Sequence, residues 1–463
     1  MARRVEALVI GSGPGGYAAA IRLGQLAKRV ALVEKERLGG ECLNHACIPS
    51  KALISVARLI ENINRAEEIG VRSEGLRLDF RQVQLWKKRI VDGRASGIEY
   101  LCRENDVEVV YGEAVFRSPG EIEVRGKSGS EVFNADRIII AVGSKPIELP
   151  NFRFDGQLVL SSREALELEE VPGRLLVIGG GVVGSEIGSM YAMLGSHVTI
   201  VEMMDQILPS VDHELVSIVQ RRLLRLGVTI HVKSSANGFR LVDGAARVQV
   251  GTPQGETLVD VDRILVSVGR APNTSAIERA GVELDEKGFV RVDDHLQTSV
   301  PGTYAIGDIT GPPLLAHKAS HEGIVVAEEI SGIEQKRDTV IPEVIYTEPE
   351  IATIGLTERK AKELGYTTVA GRFPFVASGR AQAANEKEGF VKVVGEKSSG
   401  SLLGIQIVGS GASELIGEGV LALKVGARIE DLSSAVHPHP TLSEGLMEAA
   451  GNALGKAINI PNT

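Results

Sequence analysis

Two of the three cysteines in this 463-residue chain, Cys42 and Cys47, stand five apart in GECLNHACIPSK, and Lys51 follows the second by four. A thiol pair so spaced can bind a metal, close a structural disulfide, pack as two inert side chains, or cycle between dithiol and disulfide. Zinc wants about four nitrogen or sulfur ligands, and Cys42, His45 and Cys47 offer only a local trio. A plant-type iron–sulfur site needs a further C-x2-C pair, which the sequence lacks. No metal is therefore expected. A structural disulfide suits an oxidising compartment; two inert buried thiols remain an alternative. The redox pair fits best. Pro49 suits the first turn of a helix, which would put Cys47 and Lys51 on one face, and a cation and a helix start both favour a thiolate. A second constellation lies in HPHPTLSE, where Glu444 follows His439 by five. Such a histidine can take the proton of a dithiol substrate, and the carboxylate can orient its ring and stabilise its cation. Thr441-Leu-Ser-Glu444 reads equally well as a capping box that starts a helix. His437 is expected to pack nearby, His317 and His321 to flank a helix without a catalytic role, and Cys102 to be a lone packed thiol.

The elements that must position these groups show a duplication. VIGSGPGG and VIGGGVVG each run an apolar strand into G-x-G-x-x-G, and each leads through an apolar stretch suited to a helix into a second strand, RVALVE or HVTIVE, that ends in an acid. The pairs Gly11/Gly179, Gly13/Gly181, Gly16/Gly184 and Glu34/Glu202 are all offset by 168 residues. One such motif is weak in a chain with 53 glycines; two in register, each behind a strand, predict two dinucleotide sites. The first glycine makes the turn, the second admits a diphosphate to the backbone, the third lets helix and strand approach, and the acid accepts from a ribose. DRIIIAVGS and DRILVSVGR echo each other as strands closing in Val-Gly, at Gly143 and Gly269. The Pro-marked linker KPIELPNF (145–152) suits a crossing between domains. After Glu202 come Met-Met-Asp, with no Arg or Lys before Arg221. A 2′-phosphate there would meet a carboxylate, so NAD rather than NADP is expected.

Composition bounds the rest. The length suggests about three domains. A formal net charge of −9 leaves no basic surplus for phosphates, so no nucleic-acid partner is expected. No apolar run approaches the roughly 20 residues of a membrane helix. The opening MARRVEALVIGSG holds an Arg pair, but its short apolar run flows straight into the glycine loop, so no export signal is read. With so few cysteines, the expected location is the cytoplasm.

GGECLNHACIPSK, the two fingerprints, TYAIGDIT (303–310), LLAHKASHEG (314–323) and HPHPTLSE (437–444) together resemble the FAD-dependent pyridine nucleotide–disulfide oxidoreductases through nearly the whole chain. Within that family the likeness is greatest to members that oxidise dihydrolipoyl groups with NAD⁺. The resemblance implies an α/β fold with two Rossmann-like dinucleotide-binding domains and a C-terminal α+β dimerisation domain. An FAD domain would span 1–146 and 271–341, an NAD domain 147–270, and the dimerisation domain 342–463. It implies that Cys42 exchanges with substrate, that Cys47 lies against the flavin as a charge-transfer thiolate, and that Lys51 approaches the flavin edge. Asp308 resembles a contact to the ribityl or phosphate region of FAD. Ala114, Gly143 and Ala316 resemble further contacts, Glu186 a residue near the nicotinamide, and Gly269 and Arg270 further NAD contacts. His439, with Glu444, would serve the partner's thiol pair in a homodimer. The partners would be a lipoylated acyltransferase subunit of a 2-oxoacid dehydrogenase complex or the lipoylated carrier protein of glycine cleavage. Glu41, His45 and Ala46 depart from the family's commoner Thr or Val, small or basic residue, and Gly; Val142 stands where Thr is usual. A glutathione- or mercury-type reductase shares the cysteine pair but prefers NADPH, against which Glu202 argues. A transhydrogenase or quinone reductase would not need both cysteines. A non-catalytic flavin redox sensor is the alternative from another class.

Overall fold

The apolar runs read as buried strands build two parallel sheets of matching order in a computed structural model that describes residues 2–462 apart from 243, 336 and 339. Residue 463, the expected end of the C-terminal segment, lies outside the described residues. In the first sheet β1 (Arg3–Ile10) lies between β2 (Val30–Glu34) and β6 (Gly129–Ile140). Next to β2 runs β3 (Val107–Tyr111), and next to β6 runs β17 (Thr303–Ala305), all parallel. Every residue of β2 is buried, which is why RVALVE is a continuous apolar run rather than an alternating one. β4 (Glu113–Ser118) and β5 (Glu121–Gly126) extend β6 as an antiparallel meander.

The second sheet repeats the order. β9 (Arg174–Ile178) lies between β10 (His197–Val201) and β15 (Arg263–Val266), with β11 (Thr229–His231) and β8 (Val159–Leu160) outside them. Its meander is a separate sheet of β12 (Ser235–Val242), β13 (Ala245–Thr252) and β14 (Gly255–Val261). The chain crosses between the two units twice, at β7 (Ser144–Pro146) and β16 (Arg270–Pro272), and the crossings pair as an antiparallel ribbon. A third, antiparallel sheet has the order β18 (Glu343–Ile345), β19 (Glu350–Gly355), β22 (Leu402–Gly409), β21 (Phe390–Glu396), β20 (Thr368–Pro374).

The strands around DRIIIAVGS and DRILVSVGR stop at Ile140 and Val266, short of the Val-Gly pairs. The residues that follow turn aside to meet the glycine loops. A Cβ on Gly11 would lie 2.5 Å from the Ala141 carbonyl oxygen, and one on Gly179 would lie 2.6 Å from that of Ser267.

Helix α1 (Pro14–Gln25) joins β1 to β2; after β2 come α2 (Gly40–His45), α3 (Cys47–Arg65) and α4 (Phe80–Glu104). The second unit carries α5 (Ser162–Ala165), α6 (Val182–Met193) and α7 (His213–Arg225). α8 (Ala316–Ile330) returns to pack on α1 at near backbone contact, since a Cβ on Gly323 would stand 2.3 Å from the Gly15 carbonyl oxygen. The third sheet is flanked by α9 (Glu358–Glu363), α10 (Gly379–Ala383), α11 (Ala412–Lys424), α12 (Ile429–Ser434) and α13 (Glu444–Ala453). Among the described residues no helix is long and apolar enough to cross a membrane.

Candidate active site

The stretch that carries the thiols folds as two helices, not one. α2 holds Cys42, and a break at Ala46 (φ −133°) lets α3 begin at Cys47 itself, with Pro49 in its first turn. Ala46 keeps a negative φ, so the usual Gly is not required there. The Cys47 N–H is thus one of the helix's unpaired amides, a place that stabilises an anion. Both thiols are free and partly exposed, and a hydrogen bond between their side chains sets their order of ionisation. That bond, helped by Lys51, holds Cys47 below its ordinary thiol value, while the same bond and burial push Cys42 far up. Of the two thiols, Cys47 is the one whose surroundings favour the charged form. Cys102, by contrast, is buried and pushed up to about 11 by burial, as befits a packed thiol.

Lys51 is held in turn. Its Nζ donates to Glu186 Oε2 at 2.9 Å, reaching from α3 to α6 of the second unit. Burial opposes the ammonium, but Glu186 keeps its pKa above the ordinary lysine value.

The two glycine loops have the same construction. Gly11 and Gly179 take φ of +96° and +99°, open to glycine at little cost. A Cβ on Gly16 would meet Gly11 O at 1.8 Å, and one on Gly184 would meet Gly179 O at 2.0 Å, so no side chain fits the third position. At Gly13 and Gly181 an added Cβ would meet nothing within 4 Å. These second glycines cap α1 and α6, neither of which has a side-chain cap, so each presents free N–H groups to open space. A diphosphate fits both. Glu34 accepts from Ser12 N, Ser12 Oγ and Glu36 N at 3.0, 2.6 and 2.8 Å. Glu202 accepts from Gly180 N and Met204 N at 2.7 and 2.8 Å. A carboxylate has about four acceptor sites, so each acid is fixed by backbone amides and still has a lone pair for ribose hydroxyls. The residues present therefore fit two dinucleotides.

The remaining expected contacts divide. Asp308 lies at the C-terminal end of β17 in the Gly307–Thr310 turn, and its carboxylate accepts from Ser144 Oγ at 2.5 Å. Ala316 is the first residue of α8, so its N–H lacks an intrahelical acceptor. Ala114 is buried in β4, and Gly143 (φ +67°) has open space where a Cβ would sit. Gly269 is positive in φ (+122°), and its carbonyl accepts from Ile147 N at 3.1 Å across the crossing ribbon. The Arg270 guanidinium donates to Ser144 Oγ (2.7 Å) and Ser144 O (2.8 Å) and lies 3.4 Å from Glu41.

His439 Nδ1 and Glu444 Oε1 are 2.9 Å apart, and the His439 side chain is 79% exposed. The same carboxylate accepts from Thr441 N at 2.8 Å through Oε2, so Glu444 holds the His439 ring with one oxygen and the loop backbone with the other. Only the backward half of a capping box forms, because the Thr441 hydroxyl bonds Pro438 O instead; the helix starts at Glu444. Although burial works against it, the Thr441 amide and His439 hold the Glu444 carboxyl below its ordinary value. His437 is turned to Glu418 at 2.9 Å, while His317 and His321 brace the chain at Pro342 and Asp338.

Several supporting residues were not legible in the sequence. Lys318 donates to Gly311 O at 2.8 Å, and Glu322, its neighbour one turn on, accepts from Gly307 N at 2.7 Å, so the pair pins the Asp308 turn from behind. Their i,i+4 spacing in HKASHEG was the available signal. Ser144 joins Asp308 to Arg270. Tyr346 touches Lys51 from the third sheet, a contact no local pattern announces.

The chain matches the pyridine nucleotide-disulphide oxidoreductase family over residues 5–323 and that family's dimerisation domain over residues 341–450. It is 46% identical to a dihydrolipoyl dehydrogenase of Haloferax volcanii, over 100% of this chain and 99% of that one. It is 44% identical to one of Bacillus subtilis over 98% and 97%. The structure of LpdA from Mycobacterium tuberculosis superposes with a TM-score of 0.89 at 27% identity, covering 96% of this chain and 99% of the other. The first match takes in both glycine loops and the thiol pair, and the second takes in His439 and Glu444: the chain belongs to the pyridine nucleotide-disulphide oxidoreductase family.

Proposed function

We propose that this chain oxidises protein-bound dihydrolipoyl groups to lipoyl disulfide and passes the two electrons to NAD⁺. The observation that carries the reading is the Cys42–Cys47 pair across the α2–α3 junction, with Cys47 at the start of α3 and its thiol held below the ordinary value by the bond to Cys42 and by Lys51. Bound FAD supplies the two-electron relay between the thiol pair and the nicotinamide. Gly11, Gly13, Gly16, Glu34, Lys51, Ala114, Gly143, Asp308 and Ala316 would hold it; Gly179, Gly181, Gly184, Glu186, Glu202, Gly269 and Arg270 would hold NAD. The protein's own work begins with the pair in its disulfide form. A base takes one thiol proton of the substrate, and the resulting thiolate attacks Cys42 Sγ. The Cys42–Cys47 bond breaks, and Cys47 leaves as the thiolate that its surroundings favour. The second substrate thiol, deprotonated in turn, closes the lipoyl disulfide and releases Cys42. The substrate has lost two electrons and two protons; the thiol pair holds the electrons until they leave as a hydride on NAD⁺.

The base is His439, oriented by Glu444. Its exposure, and its place in the segment that matches the dimerisation domain, support a homodimer in which His439 of the partner subunit serves this chain's thiols. The domain division that accompanies this reading is FAD at 1–146 and 271–341, NAD at 147–270 and the interface at 342–463. The natural partners are a lipoylated acyltransferase subunit of a 2-oxoacid dehydrogenase complex or the lipoylated carrier protein of glycine cleavage, in the cytoplasm.

Turnover of dihydrolipoamide with NAD⁺ by the flavin-loaded protein tests the activity. NADH formation is expected; NADPH-driven reduction of another disulfide without it would favour a glutathione- or mercury-type reductase. Mixed dimers test the base. Cys47→Ser and His439→Ala homodimers should each be inactive. Random re-pairing makes half the dimers mixed, and each mixed dimer regains one intact site, so about a quarter of wild-type activity returns. A base acting within its own chain would restore none.

A further inference from the structure

One turn of the third sheet, Tyr346 to Glu350 between β18 and β19, makes polar contacts to the redox helix of its own chain. Arg58, two turns along α3 from Lys51, donates to Thr347 O at 3.0 Å and lies 2.7 Å from both Glu348 and Glu350. At the other end of that contact the Tyr346 ring lies under Lys51, with Nζ 4.4 Å from the ring centroid. The Tyr346 backbone N–H donates to Glu186 Oε1 at 2.8 Å, while Lys51 Nζ takes the other oxygen of the same carboxylate at 2.9 Å. Three parts of the chain thus close on one ammonium: α3 supplies it, α6 supplies its counter-ion, and the third sheet supplies an aromatic face and an amide that locks the counter-ion. A ring face attracts a cation through its quadrupole, and the attraction grows as water is excluded. The Tyr346 hydroxyl takes part in neither contact.

We propose that Tyr346 is a positioning residue for the redox centre: its ring face and backbone N–H hold Lys51 against Glu186 and so fix the positive charge that supports the Cys47 thiolate. No role follows for Tyr346 from its place in any motif. The proposal rests on the reading that the Cys47–Lys51 helix is the redox centre. Without the ring, Lys51 has a carboxylate on one side only and is free to swing toward water; the charge beside Cys47 then weakens while the glycine loops and the base are untouched. The electrostatic part of the role belongs to the ring face, so removing electron density from the ring should matter even where its shape is kept.

The test is a ring series at position 346 in the flavin-loaded dimer: Tyr346→Phe, Tyr346→3,4,5-trifluorophenylalanine, and Tyr346→Leu. The readouts are the charge-transfer absorbance after anaerobic two-electron reduction, kcat and KM for dihydrolipoamide, flavin content and thermal midpoint. Phe keeps the face and the amide, and should hold the band and kcat within about twofold of wild type. The trifluoro ring keeps the shape but loses the attraction, and should lower both by about threefold to fivefold with KM, flavin content and thermal midpoint unchanged. Leu should fall at least as far; should it fail to fold, the fluorinated ring still decides. A flat series, or a Phe variant as low as Leu, overturns the role given to the ring. If wild type itself shows neither band nor turnover, the proposed function falls, and this inference with it. If wild type shows both and the series is flat, only the inference falls.

Discussion

The two dinucleotide units share strand order, glycine geometry and a carboxylate pinned by backbone amides, yet they differ in what covers the nucleotide loop. Over the first loop the chain folds back at once. Gly39 N donates to Ser12 O at 3.0 Å, and Gly40 sits so close to the loop that a Cβ would lie 2.6 Å from Gly13 Cα. α2 and α3 therefore begin on top of the first site, bringing the thiols with them. Over the second loop the chain also returns, with Leu208 N donating to Gly180 O at 2.8 Å, but it leaves Val182 and Val183 at the start of α6 exposed, and Met203, next to Glu202, is 76% exposed. The first site is lidded by the redox helix and suits a resident cofactor; the second is open and suits a nucleotide that comes and goes. The same split appears in the sheets. β6 runs unbroken from the meander into the parallel sheet, whereas the second unit divides it into β14 and β15 at Asp262. There the Asp262 carboxylate accepts from the Arg174 backbone at 2.8 Å and from its guanidinium at 2.7 Å. One scaffold thus offers a covered site and an open one, according to the segment that follows the acid.

The largest test of this contrast is at the lid. Cys42→Ser and Cys47→Ser should each reduce turnover of dihydrolipoamide to background, since neither leaves a disulfide to attack. After reduction the charge-transfer band should persist in Cys42→Ser and vanish in Cys47→Ser; the reverse would exchange the two roles. In the wild-type reduced protein the band should survive as pH falls below the ordinary thiol value of 9.0, because Cys47 is depressed, and should fade only further down, when Cys47 takes a proton.

Next in size is a matched pair of substitutions. A methyl at Gly13 or Gly181 meets no protein atom, so Gly13→Ala and Gly181→Ala should both fold, but each methyl intrudes where the diphosphate belongs. Gly13→Ala should be purified with much of its flavin missing. Gly181→Ala should keep its flavin and raise KM for NAD⁺ by about tenfold, the effect of roughly one lost or strained contact. Equal flavin loss in both would erase the distinction between lidded and open sites.

The smallest effect concerns the acid in the open site. NAD⁺ should be preferred to NADP⁺ in kcat/KM by at least about tenfold, the scale of one uncompensated charge clash. Glu202→Gln, which keeps the side-chain shape and removes the charge, should narrow that ratio. An unchanged ratio would move the discrimination elsewhere, and Lys233 is where to look: its N–H donates to Met204 O at 2.8 Å, which brings a cation beside the turn that the sequence after Glu202 does not show.

By itself the sequence determined whatever depends on local spacing. Gly11, Gly13 and Gly16 and their counterparts 168 residues on were legible because the same spacing recurs behind an apolar strand each time. The parallel strands were legible because burial on both faces demands a continuous apolar run. Cys47 and Lys51 were placed together by helical period, and His439 with Glu444 by proximity along a short loop. The sequence left open what Glu444 does, since a capping carboxylate and a histidine partner look alike in one dimension; the folded loop gives one oxygen to each. Tertiary structure alone decided the long-range pairings: Lys51 with Glu186, Tyr346 against both, and Arg270 with Ser144 and Glu41. Such contacts have no period to reveal them. They arise where two sheets and the third are packed together, and the energy of a buried charge depends on which partners that packing brings within reach.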